Sequence, residues 1–311
     1  MSDGAAIALL PAVELRRRVA EGELSPVDVL DACLEQIDRH NDRINAVVTL
    51  DESARDQAAA LERRLAGGEA PGLLCGLPVG IKDTTPVAAV RTTYGSPLYS
   101  DHVPDEDALV GRRLRAAGAV ILGKTNTPEF AAGGNTFNEV FGRTRNPWDP
   151  ELSAGGSTGG GAAALATGMI ALAEGTDLGG SLRVPASFCG VVGLRPSPGL
   201  VPTLPTDWAA DDLSVTGPMG RTVADVGLML GAVAKPSAKF PLSHFLRGSE
   251  YAHARHLRVE GRRVAYAPDV AGLGTDPNLE RVCREAAESL ATSGSGFEVE
   301  EVDLDLSAGL E

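Results

Sequence analysis

The sequence predicts an α/β fold in which a β-sheet is covered on both faces by helices. Two observations support this: from Leu77 onward short apolar runs alternate with segments of helical periodicity, and the preceding part of the chain has helical patterns. Such alternation is typical of a sheet between two helical layers. At 311 residues the chain can bury a large core, and a domain of this class need not be divided. We therefore predict a single domain over residues 1–311.

Residues 1–70 are predicted to form an N-terminal helical segment. Ser25, Pro26 and Asp28 supply an N-cap followed by a proline at the first helical position. Apolar residues then recur at helical spacing, at positions 29, 30, 33, 34 and 37. A second helix is predicted over about residues 52–65, and no strand is expected before residue 77.

Residues 76–230 are predicted to be the catalytic core, and residues 260–306 a β-α-β segment. Within these ranges we expect strands at 119–122, 188–194, 263–266 and 297–306, a small-residue helix at 160–167, and a helix opened by Asp276 and Pro277. All of these parts are expected to belong to the one domain.

Charge and hydropathy argue against two classes of partner. The net charge of −14 argues against nucleic acid as a direct partner, because binding to phosphates requires a basic surface. The longest weakly polar run, residues 162–173, is too short to span a bilayer, and the N-terminus lacks the pattern of a secretory signal. We therefore expect neither direct nucleic-acid binding nor membrane association.

The four cysteines are Cys33, Cys75, Cys189 and Cys283, widely spaced and without a C-x-x-C pair. This spacing favours buried, small apolar residues in a reducing cytoplasm over a disulfide framework or a zinc site. We therefore expect a cytoplasmic protein without a structural metal.

Two serines in glycine-dense settings follow a candidate lysine. Ser157 lies within the run Ala-Gly-Gly-Ser-Thr-Gly-Gly-Gly, Ser181 follows Leu-Gly-Gly, and Lys82 ends the apolar run of residues 77–81. Glycine lets backbone N–H groups approach a reacting atom. A hydroxyl beside such a stretch can therefore attack a substrate while amides hold the developing charge. The combination indicates a serine hydrolase or an acyl-transfer enzyme.

The stretch from about Gly76 to Leu230 resembles the amidase signature family, whose members hydrolyse or transfer acyl groups from amides through a Ser-Ser-Lys triad. The matching stretches are residues 76–83, 123–126, 144–148, 154–161, 175–185, 188–190 and 217–225. The resemblance implies a mixed β-sheet with helices on both faces, a small-molecule amide substrate and no cofactor.

Ser181 is the expected nucleophile, since the resemblance gives its equivalent the role of forming the acyl-enzyme. The backbone N–H groups of Leu178, Gly179, Gly180 and Ser181 are predicted to form the oxyanion hole. Loss of one such donor typically raises the barrier by roughly 3 to 4 kcal/mol. A plain Gly-Gly-Ser turn between strands is the alternative interpretation of the motif.

Ser157 is expected to relay protons between Ser181 and Lys82, a role that the resemblance implies together with a cis peptide bond before Ser157. Thr158 stands where the family usually has serine, and its hydroxyl can keep a supporting hydrogen bond. A glycine-rich loop that merely opens a helix is the alternative interpretation.

Lys82 is expected to be the general base. A free lysine has a pKa near 10.4, so a neutral amine at pH 7 needs a depression of about 3 units, roughly 4 kcal/mol. Burial disfavours the ammonium form, and the apolar run before Lys82 offers burial. The alternative is a lysine at a strand end paired with a carboxylate.

Asp177 and Arg183 flank the nucleophile and are predicted to support its loop by a charge-assisted pair. Two other assignments have less support. The Ser157 run formally matches the nucleophile elbow of α/β-hydrolases, with His244, His253 and His256 available, but the residues before it make a poor strand. His253 and His256 as metal ligands lack a clear carboxylate or cysteine partner set.

The chain is shorter than amidase signature proteins usually are, so a C-terminally incomplete domain is expected. The resemblance implies that the absent part carries sheet strands, and an uncovered strand exposes unpaired backbone groups. A stable chain would then close this edge itself or in a homodimer. Two further functions stay open: the amidase subunit of a tRNA-dependent amidotransferase, and an inactive remnant.

Overall fold

A six-stranded mixed β-sheet organises the larger part of the chain. The computed structural model describes residues 3–206, 208, 210–246, 248–256, 261–270, 272–294 and 296–305. The chain divides into two compact units, Met1–Arg255 and His256–Glu311. The strands of the first unit are β1 (Val47–Leu50), β2 (Pro78–Lys82), β3 (Val120–Thr125), β4 (Phe137–Asn138), β5 (Gly142–Arg143), β6 (Leu172–Asp177), β7 (Val192–Gly193) and β8 (Val215–Gly220). Its helices are α1 (Asp3–Ala8), α2 (Ala12–Ala20), α3 (Pro26–Ile44), α4 (Ala54–Ala66), α5 (Leu109–Ala116), α6 (Gly159–Ala166), α7 (Arg183–Cys189) and α8 (Val223–Val233).

The strand order in the main sheet is β1-β3-β2-β6-β8-β7. Strand β2 runs parallel to both β3 and β6, whereas β1, β8 and β7 each pair antiparallel with their neighbours. The short strands β4 and β5 form a separate antiparallel hairpin. The sheet is therefore mixed, as predicted.

Hydrophobic cores lie on both faces of this sheet. One cluster contains Leu15 of α2, Leu114 of α5 and Leu228 of α8, together with Ile121 of β3. The other contains Leu30 of α3, Ala58 of α4 and Leu165 of α6, together with Val120 and Leu122 of β3. Because successive strand residues point to opposite faces, β3 contributes to both cores. This arrangement confirms the predicted fold class.

The N-terminal part contains a strand that the sequence does not predict. Strand β1 pairs antiparallel with β3, placing Val47 opposite Thr125 and Leu50 opposite Gly123. Only Val47 of its four residues is buried, so no alternating pattern marks the strand. The start of α3 is as expected: Ser25 accepts a hydrogen bond from the Asp28 N–H, and the Asp28 carboxylate accepts one from the Ser25 N–H.

The expected strand at 188–194 is wrong for most of its length. Helix α7 continues to Cys189 and ends at Gly190, whose φ of 71° places it in the left-handed region that favours glycine. Only Val192 and Gly193 form a strand. Apolar residues on a short helix followed by a short strand resemble one continuous strand in sequence, and so the pattern does not reveal the boundary.

The second unit has the order strand, helix, strand. Its elements are β9 (Arg263–Tyr266), α9 (Pro277–Thr292) and β10 (Glu298–Glu301), and the two strands pair in parallel. Cys283 lies on α9 and is exposed, contrary to expectation, because α9 has no fully buried residue in the described chain. The other three cysteines are buried, and all four are free thiols. Among the described residues, no helix is long and apolar enough to cross a membrane.

Candidate active site

Lys82 is held at the point where the central strand β2 ends. The residue is fully buried, and its Nζ lies 2.7 Å from Ser157 Oγ and 2.8 Å from Thr176 Oγ1. Thr176 belongs to β6, which runs parallel to β2, so both side chains lie at the carboxyl edge of the same strand pair. Ser157 comes from the loop that precedes α6. The fold therefore brings Ser157 and Thr176 to a lysine that lies 75 and 94 positions earlier in the sequence.

The surroundings of Lys82 favour its neutral form. Burial lowers its pKa from 10.5 to about 7, while the negative charges of Glu174 and Asp177 act in the opposite direction. The predicted burial of Lys82 is thus present in the structure. Near neutral pH both the amine and the ammonium are populated, a requirement for a group that takes up and returns a proton.

Ser157 is fully buried and follows a cis peptide bond between Gly156 and Ser157. A side chain at Gly156 would not fit, because a Cβ there would lie 2.7 Å from the Asn135 backbone nitrogen. The Thr158 N–H donates to the Ser181 carbonyl oxygen at 3.1 Å. The Thr158 hydroxyl lies 3.4 Å from the carbonyl oxygen of Thr176, to which it donates. Thr158 therefore connects the Ser157 loop to the Ser181 loop and to β6 by hydrogen bonds, as a residue that supports the site would.

The Ser181 loop is folded around the carboxylate of Asp177, which has no solvent exposure. Arg183 donates to it through Nε and Nη2, both at 3.0 Å, which is the charge-assisted pair expected from the sequence. The N–H groups of Gly180 and Leu182 donate to the same carboxylate at 2.8 and 3.1 Å. Burial alone would raise the pKa of Asp177, but these hydrogen bonds and the Arg183 charge lower it to about 2. Asp177 thus remains ionised and fixes the loop.

One of the four predicted oxyanion donors is already occupied. The Gly180 N–H points to Asp177 Oδ1, so it is not free to bind an oxyanion, and this assignment needs correction. The sequence places several amides in one loop but does not show that a carboxylate uses one of them. For the N–H groups of Leu178, Gly179 and Ser181, no acceptor occurs in the part of the chain that the structure describes.

Ser157 and Ser181 both face one open cavity of about 530 Å³. We call it the serine cavity; its other lining residues are Phe130, Ala131, Ala132, Gly133, Gly134, Thr176, Leu178, Gly179 and Ser214. No charged side chain of the described residues is in this lining. The lining is thus made of hydroxyl groups, main chain and apolar side chains.

Three contributors to the site are not predicted from the sequence. Thr176 contacts the Lys82 amine, Glu174 accepts the Lys82 N–H at 3.1 Å, and residues 130–134 line the serine cavity. Thr176 and Glu174 are two positions apart on β6, so a strand assignment there would have placed them on one face. Phe130 and Ala131 have φ angles of 49° and 60°, a backbone conformation that sequence patterns do not reveal.

The elbow interpretation of Ser157 does not fit the structure. An elbow requires a strand directly before the serine, and residues 146–156 carry only an isolated bridge from Ser153 to Arg145. His244 and His253 do not line the serine cavity. The side chain of His256 lies outside the described residues. A lysine, not a histidine, is the basic group that contacts Ser157.

Several known proteins are similar to this chain in sequence and in fold. The family model described as Amidase matches residues 28–309. An acylamidase of Rhodococcus erythropolis is 42% identical over 288 residues, covering 92% of this chain and 60% of the relative. One subunit of the glutamyl-tRNA(Gln) amidotransferase from Thermosynechococcus vestitus is 39% identical over 283 residues, covering 91% and 59%.

A solved structure of a bacterial aryl acylamidase of the amidase signature family superposes with a TM-score of 0.87 at 30% identity, covering 96% of this chain and 62% of that one. A 6-aminohexanoate cyclic dimer hydrolase gives 0.84 at 31% identity, covering 94% and 61%. The chain thus spans about three fifths of the length of these relatives. The match over most of its own length shows that this chain belongs to the amidase signature family.

Proposed function

We propose that the protein is an amidase that hydrolyses a carboxylic amide to an acid and an amine or ammonia through an acyl-enzyme on Ser181. The observation that carries this proposal is the buried contact between Lys82 Nζ and Ser157 Oγ. Ser157 and Ser181 line the same cavity. A lysine with a pKa of about 7 beside a hydroxyl is equipped to accept its proton.

The proposed reaction begins when the neutral Lys82 amine takes the proton of Ser157 and Ser157 takes that of Ser181. The Ser181 oxygen then bonds to the amide carbon, and the negative charge moves to the carbonyl oxygen. The N–H groups of Leu178, Gly179 and Ser181, which have no acceptor among the described residues, are the proposed donors to this oxygen. Collapse of this tetrahedral intermediate breaks the C–N bond. The leaving amine takes up the proton that Lys82 returns through Ser157, and the acyl group stays on Ser181.

The second half of the reaction repeats these steps with water. Water loses a proton through Ser157 to Lys82 and attacks the acyl carbon. The ester bond to Ser181 breaks, and Ser181 regains its proton by the same route. Lys82 ends each half as the neutral amine, so no cofactor is required by the proton balance. Thr176 and Asp177 hold the lysine and the nucleophile loop, respectively.

A second candidate function is that of an amidase subunit in a tRNA-dependent amidotransferase. The observation in its favour is the 39% identity to one subunit of such an enzyme over 91% of this chain. The serine cavity has no charged side chain among the described residues, so nothing described there matches the two charges of free glutamine. Co-purification of a partner together with dependence of turnover on glutamine would favour this candidate over the first.

The experiment for the proposed function is covalent labelling with a fluorophosphonate, followed by peptide mapping. We expect the label on Ser181, and we expect Ser181→Ala to abolish it. Ser214→Ala is the matched control, because Ser214 lines the same cavity, but among the described residues no hydrogen bond joins it to Lys82 or Asp177. Label found on Ser157, or retained in Ser181→Ala, would refute the assignment; absence of any label in the wild-type chain would favour the inactive remnant.

A further inference from the structure

Glu174 is a fully buried carboxyl group beside Lys82 that the proposed reaction steps do not use. The parallel pairing of β2 with β6 ends where Ile81 lies opposite Glu174. The next N–H along β2 is that of Lys82, and it donates to Glu174 Oε2 at 3.1 Å. A side-chain carboxylate therefore takes the place of a main-chain acceptor at the point where the ladder stops.

The other carboxylate oxygen holds the turn that follows. Thr85 Oγ1 donates to Glu174 Oε1 at 3.0 Å, and the Thr85 N–H donates to the Lys82 carbonyl oxygen at 2.9 Å. The Thr85 carbonyl oxygen in turn accepts a hydrogen bond from the buried Lys124 ammonium. Glu174 thus bridges both ends of the segment 82–85 and fixes the main chain that carries Lys82.

Glu174 and Thr176 act on Lys82 from one strand. They are two positions apart on β6 and therefore share a face of the sheet. Glu174 contacts the main chain of Lys82, whereas Thr176 contacts its terminal nitrogen at 2.8 Å. The whole length of the lysine is held between these two contacts.

We propose that Glu174 is a positioning residue for Lys82, which fixes the lysine main chain and stabilises the positive charge that Lys82 takes up during each turnover. This inference rests on the proposed role of Lys82 as the general base. The carboxyl group touches no reacting atom, and it acts only through the lysine.

Several charged groups surround Lys82 and Glu174 among the described residues. Lys82 faces the carboxyl groups of Glu174 and Asp177. Glu174 also faces Lys124, which has Asp83 and Asp107 beside it. Arg91 lies near Asp83. Arg183 and Arg195 lie beside Asp177. Burial lowers the pKa of Lys124 to about 8. Burial raises the pKa of Glu174, whereas the hydrogen bond from Thr85 and the positive charge of Lys124 lower it.

The lysine content of the chain permits a direct test. Its lysines are Lys82, Lys124, Lys235 and Lys239, so carbon-13 labelling at lysine Cε gives an NMR spectrum with few signals. Signals are assigned with Lys82→Met and Lys124→Met and then titrated in the wild-type chain and in Glu174→Gln. A glutamine can accept the Lys82 N–H and donate to Thr85 Oγ1, so this change removes charge but keeps both hydrogen bonds.

We expect the titration midpoint of Lys82 to fall by about one pH unit in Glu174→Gln, because a neighbouring negative charge favours the ammonium. Asp225→Asn is the matched control. Asp225 is also fully buried and accepts two backbone N–H bonds, from Val13 and Thr222, both at 3.0 Å, but it lies at the start of α8, and among the described residues none of its hydrogen bonds reaches Lys82 or Glu174. Its replacement should leave the Lys82 midpoint unchanged.

Glu174→Asp separates position from charge, because it keeps the carboxylate and withdraws it by one methylene from the Lys82 N–H. We expect about tenfold slower fluorophosphonate labelling of Ser181 in this variant, with a Lys82 midpoint near that of the wild type. A Lys82 midpoint unchanged in Glu174→Gln, or wild-type labelling in Glu174→Asp, would overturn the proposal. Rapid Ser181 labelling in Lys82→Met would instead refute the role of Lys82 itself, so the two failures are distinguishable.

Discussion

Lys82 Nζ and Ser157 Oγ lie 2.7 Å apart, and neither residue is exposed to solvent. A neutral amine accepts the hydroxyl proton in such a contact, whereas an ammonium donates to the hydroxyl oxygen. Since burial brings the pKa of Lys82 to about 7, small changes around neutral pH decide which of the two occurs. The reaction that we propose needs the accepting form at its start.

The rate of Ser181 labelling should therefore rise with pH through about 7 and level off above it, because only the free amine accepts a proton. Lys82→Arg should be as damaging as Lys82→Ala, because arginine stays charged throughout this range. Labelling rates between pH 5.5 and 9 measure both effects. A rate in Lys82→Arg close to that of the wild type would exclude Lys82 as the base.

Thr176→Val should slow labelling by roughly tenfold, because it removes the hydrogen bond that holds Lys82 Nζ at 2.8 Å while keeping the shape of the side chain. Thr216→Val is the matched control. Thr216 lies directly opposite Thr176 in the antiparallel pair of β6 and β8, and its hydroxyl contacts Thr203 instead of the lysine. Equal losses in both variants would show that the effect comes from the sheet and not from the contact with Lys82.

Asp177→Asn should reduce stability, and the loss should depend on pH. The pKa of Asp177 is about 2 in the folded protein, whereas the ordinary value of 3.8 applies to the unfolded chain. As pH falls, the unfolded chain therefore binds the proton first. The stability gained from the ionised group is therefore present above about pH 4 and is lost towards pH 2. The difference in unfolding free energy between wild type and Asp177→Asn should narrow by about 1 kcal/mol from pH 6 to pH 3. A constant difference over this range would contradict the depressed pKa.

Local sequence patterns are sufficient for the features that depend on neighbouring residues. The apolar run of residues 77–81 predicts that Lys82 is buried, because a strand that is apolar at every position is covered on both faces. The pair of Asp177 and Arg183 is also predictable from local sequence, since the two residues are only six positions apart, at the two ends of one short loop, and their side chains can meet across it.

The features that depend on strand order are not predictable in this way. Glu174 reaches the Lys82 N–H across 92 positions in sequence, and the contact exists only because β6 lies next to β2 in the sheet. The same holds for β1, whose position is fixed by pairing with β3 and not by burial of its own side chains. The Gly180 N–H is wrongly predicted to bind the substrate because the sequence cannot show where the Asp177 carboxylate points.

Ser157→Ala provides the sharpest test of the proton relay. The change removes the hydroxyl next to Lys82 Nζ but leaves the contact of the lysine with Thr176, so the base should stay in place while its connection to Ser181 is lost. We expect Ser181 labelling to slow by about 10² to 10⁴-fold, the range typical of lost general base catalysis, with the label still mapping to Ser181. The rate of Ser181 labelling in this variant should also lose its pH dependence around 7, because Lys82 no longer exchanges protons with Ser181. A rate within threefold of the wild type that kept this pH dependence would mean that Lys82 acts on Ser181 directly, without a relay.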